Sequence, residues 1–400
     1  MSDAAILGQV ALGYSPFIDR QRAVTATRLT VLPLRPDAVL DVGQLLHEVG
    51  NVWPATGARV SLNVVSESLL QELLLARPSP NLMVEVPAFM AVDPANVDAL
   101  VALHANGSTL LLKGRPLKDL PRAVLPCFRY SIIDLADDRR IGEAAAPSGA
   151  ARHIAHVQSG VRTVAEMEAS FARGAEAVLG WPIDDVVTAA AKSGHPIAAP
   201  GMQAIAELIR QVDKEEPIEK LESTLKRDPA LAFKLLRYIN SPAFGLRVEI
   251  NSFRHAIMML GYQRLKRWLA LLLATASKDV NLKPVMFAAV RRGLLMEEIV
   301  RHSGDEEMRN EMFICGVFSL LDRMFQQPFT QLLDSIPVPE KVRQALIDSA
   351  GPYQPYIELV QAIEGESLYA FRDAAERVLM SVSEINRAQL RALMSASELE

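Results

Sequence analysis

Four hundred residues, at about 100–200 per domain, imply two or three domains. Half are hydrophobic and 22% are charged, which excludes a disordered chain and allows large buried cores. A formal net charge of −5 gives no footprint of a dedicated nucleic-acid binder, and two cysteines, Cys127 and Cys315, cannot build a Cys-rich zinc site or a disulfide framework.

The first residues show no basic segment before an apolar run, so no signal peptide is expected. The longest apolar stretch, Trp268 to Ala274, falls short of the roughly 20 residues of a membrane span. The expectation is a reduced cytoplasmic protein with no membrane contact and no bound cofactor. With seven histidines, any metal chemistry would rest mostly on carboxylates.

Short β-rich runs recur up to residue 182: Gly8–Leu12, Arg28–Leu34, Arg59–Val64, Leu82–Val86, Thr109–Leu112, Arg129–Leu135, His153–Val157 and Ala175–Trp181. Helical patterns fall between most of them. Val39–Val49 and Ser66–Ala76 each carry an apolar face, and Thr163 with Glu166 has the spacing of a capping box. Leu82–Val86 and Ser131–Leu135 are apolar on both faces, as buried parallel strands are. About eight βα units predict a compact (β/α)8-type barrel, with an open doubly wound sheet as the alternative.

Barrel chemistry sits at the C-terminal strand ends. There the chain offers Asn63, Glu85, Lys113, Asp134 and His156. Two carboxylates and an amide could hold a divalent cation through oxygen. The alternative is that each is a capping or core-bonded polar residue.

Lys192–Gly201 is rich in Pro, Gly and Ser and reads as a linker. Beyond it helix signals dominate. Helices are predicted at 203–212, 217–227, from Asp228-Pro229 to Ile239, from Asn251-Ser252 to Gly261, and over 263–277. More follow at 284–302, 307–326, 339–349, 353–364 and 367–382, with a weaker one near 386–397. The predicted division is a barrel over 1–190, a linker over 191–200 and an all-α domain over 201–400. Within the helical half, Arg264, Lys266 and Arg267 flank Trp268, and Arg291-Arg292 follow. They could meet phosphate or a partner, or form a solvated face, or pair with the acidic Asp213–Glu222 region.

Two resemblances add to this reading. Asp228–Gly245 (DPALAFKLLRYINSPAFG), Ile250–Gly261 (INSFRHAIMMLG), Gly316–Met324 and Ile336–Glu340 resemble the HDOD domain, a helical relative of HD-type metal phosphohydrolases. Ser15–Arg20, Val60–Val64, Met83–Val86 and Ala175–Pro182 resemble the EAL domain of cyclic di-GMP phosphodiesterases. The whole chain resembles bacterial EAL–HDOD signalling proteins.

Carried over residue by residue, the resemblance implies that most ligands are replaced. The signature glutamate falls at Thr27, the paired aspartates at Lys113-Gly-Arg115, the catalytic lysine near Ile132, a late glutamate at Arg162 and a glutamine at Leu179. Asn63, Glu85 and Asp134 match residual metal-site positions. Lys113 and Arg115 invert the local charge and could contact phosphate or a partner. No His-Asp dipeptide exists anywhere in the chain. The expectation is a non-catalytic regulatory protein with no metal. Its partners would be other signalling proteins, with cyclic di-GMP bound without turnover if bound at all. An active cyclic di-GMP phosphodiesterase with a divergent metal site is the alternative. A nucleic-acid binder using Arg264, Arg267, Arg291 and Arg292 is a third reading, opposed by the net charge.

Overall fold

The computed structural model describes residues 5–36, 38–138, 154–185, 200–226, 253–275, 279–336 and 338–397, together with Leu231, Leu235 and Tyr238. Strands β1 (Val10–Asp19), β2 (Val24–Pro33), β3 (Arg59–Val64), β4 (Leu82–Pro87), β5 (Thr109–Lys113), β6 (Phe128–Asp134), β7 (Ala155–Val161) and β8 (Ala177–Gly180) close into a barrel in chain order. The sheet is therefore closed, as the eight strand signals predict, and not an open doubly wound sheet.

One expectation is corrected. The sequence reading treats the barrel as about eight βα units, but β1 is antiparallel to both of its neighbours, β2 and β8. Residues 20–23 are all that join β1 to β2. A parallel crossover needs a dozen residues or more, so the chain turns back as a hairpin. Strands β2 to β8 then run parallel to one another.

Helices α1 (Val42–Val52), α2 (Glu67–Leu75), α3 (Ala88–Ala91), α4 (Val97–Ala105) and α5 (Val164–Ala172) connect the strands. The starts of α1, α2 and α5 are chemically marked. Asp41 accepts from the Gln44 amide, Ser66 from the Leu69 amide, and Thr163 and Glu166 complete the predicted capping box.

Alternation along the strands sorts the interior into two layers. At the N-terminal end of the parallel strands, Phe17, Ala26, Met83, Leu111, Ile132, Val157 and Leu179 form one apolar cluster. Two residues further along β2, β4, β5, β6 and β7 the same inward columns carry Arg28, Glu85, Lys113, Asp134 and Ser159, and on antiparallel β1 Ser15 stands two residues before Phe17. The apolar layer seals the barrel and the polar layer lies on top of it. On the outer face, Val161, Met167, Phe171 and Val178 pack α5 against β7 and β8.

The remaining helices are α6 (Pro200–Asp213), α7 (Ile218–Lys226), α8 (Phe253–Ala274), α9 (Lys283–Ile299), α10 (Glu306–Phe318), α11 (Leu321–Phe325), α12 (Phe329–Ser335), α13 (Glu340–Ile347), α14 (Gln354–Glu364), α15 (Leu368–Arg377) and α16 (Val382–Ser397). Gly261, at φ 68°, breaks α8 where two helices are predicted. The single helix predicted over 307–326 is divided into α10 and α11, and α12 has no predicted counterpart. Most of the Asp228–Gly245 motif and of the predicted linker lies outside the described residues; Leu231 and Leu235 from that motif are buried.

Helices α9 and α10 approach closely through glycine. A Cβ on Gly316 would lie 2.6 Å from the Arg292 carbonyl oxygen and 2.7 Å from the Gly293 Cα. That contact explains, in packing terms, why the Gly316 position of the motif is a glycine.

The chain divides into two compact units, residues 1–185 with 358–400, and residues 186–357. The predicted division puts 201–400 in one helical domain. In the structure residues 358–400 belong instead to the barrel's unit, because the C-terminal segment makes long-range bonds to it. Asn386, fully buried on α16, donates to the Leu7 and Val10 carbonyls and accepts from the Leu12 amide.

Candidate functional site

The polar layer inside the barrel is built around a buried ion pair. Arg28 on β2 and Glu85 on β4 both point inward. Arg28 Nε and Nη2 donate to Glu85 Oε1 and Oε2 at 2.9 and 2.7 Å, a bidentate fork. Ser61 Oγ on β3 donates to the same Oε1 at 3.0 Å. The Glu85 side chain has no solvent exposure and that of Arg28 has 10%. Burial opposes the charge on Arg28, but the carboxylates of Glu85 and Glu366 outweigh it and hold its pKa above the ordinary guanidinium value.

Beside this pair, Lys113 Nζ donates to Asn63 Oδ1 at 2.7 Å, and Asn63 Nδ2 donates to Thr30 Oγ1 at 3.1 Å. Burial, and then the adjacent Arg28, pull the Lys113 pKa below its usual value. Asp134, at the end of β6, accepts from the Ala136 amide at 3.0 Å and from Ser159 Oγ at 3.3 Å. The fifth charge comes from far along the chain. Glu366, in the turn between α14 and α15, accepts from Ser15 Oγ at 2.8 Å and lies 3.4 Å from Arg28 Nη1.

The predicted residues are thus partly assembled. Asn63, Glu85 and Lys113 meet in the barrel interior, and Asp134 is close enough to Arg28 to act on its charge. Arg115 instead pairs with Asp138 at 3.5 Å. His156 faces the other side of β7 and sits 3.3 Å from Gln158. The resemblance puts the signature glutamate at Thr27, yet the side chain that reaches Glu85 is Arg28, one residue on and on the opposite face of β2.

The interior cannot easily take a divalent metal as arranged. A cation needs the lone pairs of carboxylate and amide oxygens. Here both Glu85 oxygens hold a guanidinium and the Asn63 oxygen holds an ammonium. Among the described residues, no group of three or more His, Cys, Asp or Glu is placed to hold a metal ion.

In the helical unit the basic residues separate. Arg267 forms a two-pronged pair with Glu297, which also accepts from Arg309 at 3.2 Å, and its guanidinium lies 3.9 Å from the centre of the Phe313 ring. Lys266 pairs with Asp213 at 2.5 Å, within the predicted acidic region. Arg264 is exposed and lines a cavity of about 790 Å³ with Tyr262, Glu306 and Glu307. Tyr238 stacks on Trp268 with ring centres 6.0 Å apart.

Sequence reasoning missed Ser15, Arg28, Ser61 and Glu366. Arg28 carried a signal: it is the one charged residue within the β-rich stretch Val24–Pro33. Glu366 carried none, since it lies 338 residues from Arg28 in the chain.

Residues 198–326 match the model of the HDOD domain. The uncharacterized protein YuxH of Bacillus subtilis (strain 168) is 29% identical over 182 residues, covering 44% of this chain and 43% of that protein. The cyclic di-GMP phosphodiesterase CdgJ of Vibrio cholerae serotype O1 is 28% identical over 159 residues, covering 40% of this chain and 37% of that protein. The matched part thus spans about two fifths of each relative's length. A standalone EAL protein from Vibrio cholerae O395, solved with cyclic di-GMP, is similar over 43% of this chain and 90% of its own, at 15% identity and a TM-score of 0.30. The EAL enzyme Bd1971, solved with cAMP and cyclic di-GMP, covers 45% of this chain and 62% of its own, at 14% identity and a TM-score of 0.33. Scores of that size leave the barrel to be described by its own strand order. No helix among the described residues is long and apolar enough to cross a membrane. The chain therefore carries an HDOD domain after a closed eight-stranded barrel, the order of parts that the resemblance to EAL–HDOD proteins implies.

Proposed function

We propose that this chain is a regulatory protein of cyclic di-GMP signalling that acts by binding and does not hydrolyse the dinucleotide. The observation that carries this reading is the Arg28–Glu85 fork, supported by Lys113 on Asn63. A metal-dependent phosphodiesterase needs clustered anionic ligands, which hold cations that activate water and stabilise the displaced oxygen. In this barrel two protein cations occupy the ligand atoms. Their charge neutralises the carboxylates locally, as a metal would, but neither can generate a hydroxide nucleophile. With turnover absent, the protein acts through contacts with other signalling proteins in the cytoplasm, with the HDOD half as the interaction module.

Manganese binding tests the reading. Titration of the full chain with Mn²⁺, followed by electron paramagnetic resonance, is expected to show no site that Glu85→Ala removes. A tight site lost in that variant would overturn it.

A second reading is an active phosphodiesterase with a divergent metal site. It draws on the retained Glu85 and Asp134 and on the activity in the name of the relative CdgJ. It requires Arg28 to leave Glu85 when metal enters, against the full burial of that carboxylate.

A further inference from the structure

Glu366 occupies the barrel interior from outside the barrel's own sequence. Its backbone adopts φ 52°, the left-handed region that non-glycine residues seldom take. Its side chain is only 18% exposed. Gly13 on β1 makes room for it: a Cβ there would lie 3.0 Å from Glu366 Cγ, 3.1 Å from the Ile363 carbonyl oxygen and 3.3 Å from Glu366 Cα. The turn is therefore seated closely against β1 as well as bonded to Ser15.

Glu366 is the second anion on Arg28, after Glu85. Arg28 is already matched by both oxygens of Glu85 through Nε and Nη2. Its Nη1 is left for Glu366, at a longer 3.4 Å. The segment that bears Glu366 does not depend on this contact for its attachment. Asn386 ties α16 to the N-terminal strand region, and Arg372 donates to the Leu34 carbonyl. A carboxylate that accepts from a hydroxyl and a guanidinium presents the same chemistry as a non-bridging phosphodiester oxygen. If Glu366 withdraws, Arg28 Nη1 and Ser15 Oγ lose that acceptor, and the two cations Arg28 and Lys113 are then matched by the two carboxylates Glu85 and Asp134 and no longer outnumbered by three.

We propose that Ser15 and Arg28 form an anion subsite in the barrel, that Glu366 occupies it as an internal ligand, and that a phosphodiester ligand must displace Glu366 to bind. Entry of such a ligand would then release the turn that joins α14 to α15, which gives the barrel interior a mechanical link to the C-terminal segment. The inference rests on the proposed place of this chain in cyclic di-GMP signalling, to which it adds binding of the dinucleotide, and not on the absence of turnover.

The test is calorimetric titration of cyclic di-GMP into the full chain and into Glu366→Gln, with amide exchange measured in parallel. The variant keeps the size of the side chain and removes the charge that competes. It is expected to bind at least tenfold tighter than the wild type. In the wild type the dinucleotide is expected to speed exchange over residues 363–372 and to leave 385–393 unchanged. Equal or weaker binding by the variant, unchanged exchange over 363–372 on binding, or no binding to either protein would overturn the proposal. Release of pGpG, measured on the same samples, separates the two ideas: binding without the gain sinks only the internal ligand, whereas turnover sinks the regulatory reading.

Discussion

Arg28 and Glu85 form a bidentate ion pair in which the carboxylate is wholly buried. Removing one partner of such a pair strands the other charge in a low dielectric. Breaking it costs about 3–5 kcal/mol, while replacing both partners by apolar residues of similar volume can be neutral or stabilising. Arg28→Met is therefore expected to lower stability by about 3–5 kcal/mol. The double variant Arg28→Met/Glu85→Met should recover most of that loss. Urea unfolding of the three proteins checks this, and a double variant as unstable as the single one would contradict it.

Lys113 gives the barrel a pH dependence of defined sign. Burial and Arg28 hold its folded pKa below the ordinary 10.5. The unfolded chain therefore binds that proton more tightly than the folded one. Stability rises with pH wherever the unfolded state holds more protons. The advantage of wild type over Lys113→Met is expected to grow as pH rises from the lowered folded value toward 10.5, and to be flat below that window. Unfolding of both proteins across alkaline pH measures it; a difference that shrinks with rising pH would refute the assignment.

Asn386 fastens the C-terminal segment to the barrel's unit with three backbone hydrogen bonds at 2.7–3.1 Å. Asn386→Leu leaves two buried carbonyls and one amide without that partner. Each buried unsatisfied group costs about 1–3 kcal/mol, so a loss of about 3 kcal/mol or more is expected. Faster amide exchange should be concentrated in α16 and in residues 7–12. A loss confined to residues 186–357 would contradict the division into units.

Both cysteines are buried and free. Burial raises both thiol pKa values, and with Glu311 nearby it pushes Cys315 up to about 12. Thiolate is the reactive form, so the native protein is expected to resist a disulfide reagent such as dithionitrobenzoate. Two thiols should titrate once the chain is unfolded in guanidinium. A rapid reaction in the native state would place a cysteine at the surface.

Much of the barrel was legible because its signals are local. β3 runs over the predicted Arg59–Val64, and the capping box at Thr163–Glu166 starts α5 as its spacing says. The hairpin of β1 and β2 was missed because the predicted runs stop at Leu12 and resume at Arg28, a gap of fifteen residues, where β1 in fact continues to Asp19 and β2 begins at Val24. Only the short link between them carried the information. Strand-end position singled out Asn63, Glu85 and Lys113, whose side chains the structure brings together inside the barrel. Arg28 was passed over because the resemblance carries the signature glutamate to Thr27, one residue away and therefore on the other face of the strand. Glu366 and Asn386 act across more than 330 residues, and no pattern in the neighbourhood of either announces its partner. The same long-range contacts set the boundary at 358, which composition does not mark.

If Arg28 and Lys113 take the place of metal ions, as proposed, the full chain does not hydrolyse cyclic di-GMP. The most direct measurement is release of linear pGpG from cyclic di-GMP by the full chain in Mg²⁺ or Mn²⁺, with Glu85→Ala alongside. Release at the rate of the protein-free control in both is the predicted result. Turnover by the wild type that Glu85→Ala abolishes would contradict the account.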